Sequence, residues 1–375
     1  MNRISRDDEY RKSVISGINI EDKSYLKRDI YYLIFDQYGN SETLKQYFNF
    51  DNSKFISFLK SKGFYVADNS MSNYPHTQHS LASSLNMIYL DYLEELKTDI
   101  HPIFLSMIKN HDVGRFLRSL GYKFIFLGNS EWPFHDNEYA DKNYNLTTSR
   151  SSSYFLCMLY KESIFRPILE LTDLDVKLDH LLNHTYRVLE WKRVDYKFEV
   201  LSDLIDVDSP KFVFAHFLTP HGPYVHDRNG DYLSLENQKS MGNKKSYVNQ
   251  IMYLNGRIEI FVSELLKSSE VLPIIIIQSD EGPFTTYSTK GLDKNVTESL
   301  KQKFQILNAF FLPGIEPDQL YSHITPVNTF RIVLNQYFDT DLEILEDRHY
   351  YTSYSDPHHF VDITDRIAFD KGKSN

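Results

Sequence analysis

The chain has 375 residues, with 41 Lys or Arg against 51 Asp or Glu, a formal net charge of −10, 41% hydrophobic and 15% aromatic residues. That much apolar material excludes a disordered or fibrous chain, and the length fits one large α/β domain, with or without an insertion. The acidic excess argues against non-specific binding of nucleic acid or anionic lipid, and the single cysteine, Cys157, excludes a disulfide framework or a cysteine-built metal site.

Residues 1–28 are polar, lack periodicity and a signal-like hydrophobic stretch, and read as a leader or tether. The apolar run IYYLIF (30–35) stops at Asp36, as expected of a buried parallel strand that delivers an acid to the carboxyl edge of a sheet. One amphipathic helix is expected over 41–62, stopped by Gly63, with a short strand over 64–67. After the turn Asn73-Tyr74-Pro75, small and apolar residues predict a helix over 77–87. A further helix is expected over 101–120, closed by Gly121, and a strand over 122–127. Residues 129–210 are polar and irregular, with helical pieces near 152–170 and 173–205, and read as an insertion.

The regular pattern resumes with the strand KFVFAHF (211–217), the loop LTPHGPYVHD and a long helix over 244–268. No apolar run reaches the about 18 residues that a membrane helix needs; the densest covers 271–277. That run continues as a strand to residue 278 and leads into Ser279-Asp280-Glu281-Gly282-Pro283. A strand over 305–312 precedes a helix signalled by Thr325 as cap and Pro326 at its first position. Alternating strands and helices predict a mostly parallel sheet flanked by helices on both faces.

Ligands in such sheets bind outside the carboxyl ends of the strands. Asp36 follows one strand, Asp280 and Glu281 follow another, and His216 ends a third, with His221 in the loop beyond it. Converging carboxylates repel unless a cation lies between them, and hard cations take oxygen ligands, which points to Mn²⁺ or Mg²⁺. The plain alternative is a set of separate, solvated strand-end acids. Thr77 begins a helix, where backbone N–H groups and the helix dipole favour an anionic substrate; an ordinary capping threonine would look the same.

The segments RDIYYLIFDQYG (28–39), GFYVADNSMSNYPHTQHSLASSLNM (63–87), SLGYKFIFLGNSEWP (119–133), FVFAHFLTPHGPYVHD (212–227), SYVNQIMYLNGRI (246–258), IIIIQSDEGP (274–283) and LNAFFLPG (307–314) together resemble the sulfatase-like members of the alkaline phosphatase superfamily. They are most similar to the catalytic domains of lipoteichoic acid synthase and of related phosphoglycerol or phosphoethanolamine transferases. The resemblance covers about 28–365 and implies an alkaline-phosphatase-like fold, with residues 29–365 as the catalytic domain, 1–28 as leader and 366–375 as a charged tail.

It also implies roles. Asp36 matches an acidic metal ligand, Thr77 a nucleophile that also coordinates, and Asp280 a later metal-binding acid. His221 matches a histidine that contacts the phosphoryl group, and Trp132 falls in the region lining the head-group pocket. Where many relatives have Asp-His, this chain has Asp280-Glu281. If Glu281 coordinates, the donors are all oxygen and one Mn²⁺ or Mg²⁺ ion is favoured over Zn²⁺. The Cys/Ser-x-Pro-x-Arg pattern of formylglycine sulfatases is replaced by Asn73-Tyr74-Pro75-His76-Thr77.

The expected activity is therefore transfer of a phospho-head-group, such as phosphoglycerol or phosphoethanolamine, to a glycan or lipid-linked acceptor. A soluble phosphodiesterase or phosphatase, and a non-catalytic domain binding an anionic glycan or a membrane-protein partner, are the alternatives. Relatives work outside the membrane, which implies a cell-envelope location. The absence of a signal or membrane segment in this chain leaves the cytoplasm open.

Overall fold

The computed structural model describes residues 12–16, 18, 25–96, 101–130, 134–146, 174–208, 210–283, 297–353 and 356–367, with the backbone alone for 174–182 and 297. The sheet begins with β1 (Ile30–Phe35), β2 (Tyr65–Val66), β3 (Lys123–Leu127) and β4 (Lys142–Tyr144). It is completed by β5 (Lys211–Phe217), β6 (Ile274–Gln278) and β7 (Asn308–Phe311), in the spatial order β2-β7-β6-β1-β5-β3-β4. Pairings from β6 through β1, β5 and β3 to β4 are parallel, and β7 runs antiparallel to both β6 and β2. β1 lies at the centre with all six residues buried, which its uninterrupted apolar run requires because both faces of a parallel sheet are covered.

Alternate residues along each strand feed two cores. Ile30, Tyr32 and Ile34 join Phe212, Phe214, Ile274 and Ile276 on one face. That face is covered by α3 (Thr77–Asn86), α4 (His101–Lys109), α5 (Asp112–Ser119) and α10 (Pro326–Phe338). Tyr31, Leu33 and Phe35 join Val213, Phe217 and Ile275 on the other. There the cover is α1 (Ser41–Phe48), α2 (Ser53–Ser61), α6 (Leu174–Asp203) and α8 (Asn243–Ser268). Helix α7 (Leu235–Met241) precedes α8, α9 (Thr297–Phe304) contributes Leu300 and Phe304 to a third, smaller cluster, and β8 (Tyr350–Ser353) pairs antiparallel with β9 (Asp356–Asp362) as a separate hairpin.

Three expectations change. The helix read over 41–62 is two, because Asn49 caps α1 in the left-handed region (φ 52°) and redirects the chain before α2. The helix read over 101–120 is likewise two, since the His111 side chain accepts from the Gly114 N–H at the start of α5. The segment read as an insertion is partly integral to the domain: β4 extends the parallel sheet, and Val194, Phe198 and Leu201 of α6 pack into the second core. The helical piece expected near 152–170, like Cys157, lies outside the described residues.

Two glycines mark where backbone runs against backbone beside the carboxyl edge. A Cβ on Gly128 would lie 2.1 Å from the His135 carbonyl oxygen, and one on Gly282 would lie 2.1 Å from that of Gln302. Gly282→Ala is expected to destabilise the fold by about 2–3 kcal/mol through enforced displacement. The measurement is the urea unfolding midpoint at constant m-value.

Candidate active site

The site grows out of strand alternation. Ile34 is in register with His216 on β5 and with Gln278 on β6. Asp36 lies two residues beyond Ile34, Asp280 two beyond Gln278, and His216 two beyond Phe214. A period of two sends side chains two residues apart to the same face, here the face carrying Tyr32, Phe214 and Ile276 and covered by α3. One donor atom each from Asp36, His216 and Asp280 falls within 4.8 Å of the other two. All three residues are buried.

Burial raises the Asp280 pKa to about 7, reinforced by the charge of Glu281 and opposed by the Thr77 hydroxyl and the Lys303 ammonium. Burial also lowers the His216 pKa to about 3, helped by Lys197 and then His221, so the imidazole is neutral at neutral pH. The His216 Nε2 and Asp280 Oδ2 atoms are 3.8 Å apart, and each is buried without a hydrogen-bond partner. Buried polar atoms are rarely left so. Two carboxylates and a neutral imidazole whose ligand atoms converge fit a divalent cation, which would satisfy these atoms together.

Thr77 opens α3 and faces Asp280, whose charged form its hydroxyl favours. Ser80, one turn further along α3, donates from Oγ to the Asp280 carbonyl at 2.6 Å and ties the helix start to the end of β6. His221 lies on the other side of Asp36: its backbone N–H donates to the Asp36 carbonyl at 3.0 Å. Gln250 of α8 holds this loop by donating to the carbonyls of Pro220 and His221 at 3.1 and 3.3 Å.

Glu281 takes a different place. Its Oε1 accepts from Lys303 Nζ at 2.6 Å and from Gln37 Nε2 at 2.8 Å, and it is not in the three-residue cluster. Lys303 reaches it because the Gly282 N–H donates to the Lys303 carbonyl at 2.7 Å. Gln37 reaches it from a left-handed backbone (φ 63°), an arrangement that a non-glycine residue adopts at some energetic cost.

With His216 rather than Glu281 beside the two aspartates, the cluster mixes oxygen and nitrogen donors. The preference for Mn²⁺ or Mg²⁺ over Zn²⁺ rested on an all-oxygen set and loses that premise, since imidazole suits zinc as well. Trp132 lies outside the described residues. His226 and His323 do not join the cluster: His226 contacts the Trp191 carbonyl at 3.1 Å and His323 the Asp347 carboxylate at 2.8 Å. His216 was expected at this edge but not among the ligands. Its signal was the alternation Phe212, Phe214, His216, which places an imidazole where the next apolar side chain would go.

A mostly parallel sheet with two acids and a histidine gathered at its carboxyl edge, beside a helix that begins at Thr77, is the arrangement of an α/β enzyme. The sulfatase family profile matches residues 35–359, and the chain belongs to that family, whose members act on sulfate or phosphate esters. The solved C-terminal periplasmic domain of EcEptC from Escherichia coli is 12% identical, with a TM-score of 0.56 over 91% of this chain and 94% of that one. Its zinc complex superposes with a TM-score of 0.58 at 12% identity over 95% and 96%. A protein of the alkaline phosphatase superfamily from Vibrio parahaemolyticus is 10% identical, with a TM-score of 0.51 over 88% and 74%. No curated protein is significantly similar to the chain in sequence. Among the described residues no helix is long and apolar enough to cross a membrane.

The raised Asp280 pKa sets a pH dependence. Protonated Asp280 is favoured in the folded state, so in metal-free protein the associated stability is full below the unfolded value of 3.8 and declines as pH rises through about 7. A cation needs the carboxylate, so Mn²⁺-induced stabilisation should grow over the same range. Thermal unfolding at pH 6 and pH 8, with and without Mn²⁺, checks both directions. Asp280→Asn should weaken Mn²⁺ binding at least about 10-fold by calorimetry, in line with loss of a charged ligand.

Proposed function

We propose that the chain is a metal-dependent phosphodiesterase or phospho-head-group transferase in which Thr77 is the nucleophile. The observation that carries this reading is the position of Thr77. Its hydroxyl stands at the start of α3, facing Asp280, beside a cluster of three cation-ligating donors. A helix start favours an anionic ester. The choice of phosphate over sulfate rests on Thr77 and the Asn73–Thr77 segment.

Asp36, His216 and Asp280 would hold the cation, with the Thr77 hydroxyl as a further donor. A divalent ion in this place supplies Lewis-acid polarisation of the hydroxyl and of the phosphoryl oxygens. The Thr77 oxygen attacks phosphorus, the ester P–O bond breaks, and the proton of the Thr77 hydroxyl passes through solvent to the departing alkoxide, which leaves as the first alcohol. His221, held beside Asp36, is placed to contact the phosphoryl oxygens. An acceptor hydroxyl then attacks the phosphothreonine, forming the new P–O bond and returning the threonine hydroxyl. Phosphoglycerol or phosphoethanolamine as the group moved, and a glycan- or lipid-linked acceptor, follow from the resemblance of the motifs; water as acceptor makes the same chemistry a hydrolysis.

Thr77→Ala is expected to reduce Mn²⁺-dependent turnover of bis(p-nitrophenyl) phosphate by at least about 10³-fold, the scale of losing a covalent nucleophile. Thermal stability should stay close to that of the parent. Undiminished turnover would remove Thr77 from the reaction. Product analysis with added glycerol separates transfer from hydrolysis.

A further inference from the structure

We propose that Lys303 decides which cation the site prefers, without touching it, by holding the Glu281 carboxylate off the ion. The inference rests on the reading of Asp36, His216 and Asp280 as a metal site and adds a specificity-determining residue to it. A carboxylate beside a hard divalent ion ordinarily coordinates. Glu281 is near enough to Asp280 that its charge is the foremost influence on that carboxyl after burial, but it stays out of the three-residue cluster. Its two oxygens show why. Oε1 accepts from Lys303 Nζ at 2.6 Å and from Gln37 Nε2 at 2.8 Å. Oε2 is buried and has no hydrogen-bond partner among the described residues. One oxygen is occupied by donors, and the other is a spare ligand atom.

The lysine is built into the fold. The Lys303 and Glu281 side chains are only 3% and 4% exposed. Lys303 lies in the last turn of α9, which is fastened from two sides: its carbonyl accepts from the Gly282 N–H, and the Phe304 carbonyl accepts from the Ser72 N–H, each at 2.7 Å. The Phe304 ring is buried in the third cluster with Met71, Tyr351 and Ile363. The backbone of Glu281 is held as well. Ser279 Oγ donates to its carbonyl at 2.7 Å, and its N–H donates to Asp280 Oδ1 at 3.0 Å. Both backbones being fixed, ammonium and carboxylate meet through their side chains alone.

An ammonium has donors and no lone pair, so it competes with the cation for Glu281 and adds no ligand in return. With Glu281 withheld, the donors are two carboxylates and an imidazole, a mixed set that suits Zn²⁺ as well as Mn²⁺. A third carboxylate would tip the set toward oxygen and toward Mn²⁺. Methionine at 303 fills similar space and offers Glu281 no donor. Glutamine at 281 keeps the shape of the side chain and removes its charge.

The test uses the whole chain, with Zn²⁺ and Mn²⁺ alone as probes and calorimetry as the readout. Lys303→Met should lower the ratio of Zn²⁺ to Mn²⁺ affinity about 10-fold, the scale on which groups around a metal site act; an unchanged ratio overturns the proposal. Combining Glu281→Gln with Lys303→Met should restore the parental ratio and leave Mn²⁺ affinity close to that of the parent. A loss of Mn²⁺ affinity of about 10-fold or more in the combined variant would make Glu281 a ligand in the parent and overturn the proposal. If Lys303→Met alone does not fold, the combined variant, which leaves neither charge buried without its partner, decides the matter. Unchanged Zn²⁺ affinity in His216→Ala would overturn the metal-site reading itself. Weakened binding in His216→Ala with an unchanged ratio in Lys303→Met would overturn the role of Lys303 alone.

Discussion

Two aspartates buried side by side at one edge of a sheet are the constraint from which the rest follows. Asp36 and Asp280 sit at the ends of adjacent strands, on the same face, removed from water. Burial, and then the charge of Glu281, make the Asp280 carboxylate resist ionisation, so its pKa rises. A fold that retains such a pair either leaves a proton on it or supplies a cation. The nearby His216 Nε2 and Asp280 Oδ2 atoms, both without hydrogen-bond partners, favour the cation.

The surrounding elements hold that edge in register from three directions. On one face α3 is fastened to the end of β6 through Ser80, which carries Thr77 to Asp280. From the opposite face, α6 reaches the carbonyl of His216 through Lys197. From α8, Gln250 holds the loop whose His221 N–H meets the Asp36 carbonyl. Each of these fastenings is between side chain and backbone or between backbone groups.

Much of this was legible in the order of residues. An apolar run that leads into an acid is the signature of a buried parallel strand: 30–36 carries it without a break, and in 274–280 four isoleucines are followed by Gln278 and Ser279 before Asp280; Thr77 after a proline turn marked the helix start. Less legible was anything decided across the chain. His216 interrupts a strand of phenylalanines as a core histidine would, and only its register with Ile34 shows what it faces. Glu281 follows Asp280 and looked like a second ligand, but its partner Lys303 is 22 residues further on and is brought over by a turn in which Gly282 touches backbone. The breaks at Asn49 and His111 depended on caps inside segments whose apolar spacing ran on unbroken.

The Glu281–Lys303 contact bears on electroneutrality. A third acid beside Asp36 and Asp280 would leave three negative charges in one buried region, more than a divalent ion balances. Lys303, itself buried at 2.6 Å from Glu281, cancels that third charge within the protein. The two aspartates then present a charge that one doubly charged ion neutralises, and a monovalent ion would leave half of it standing. The net charge left at this edge is thus set by a lysine that offers no lone pair of its own.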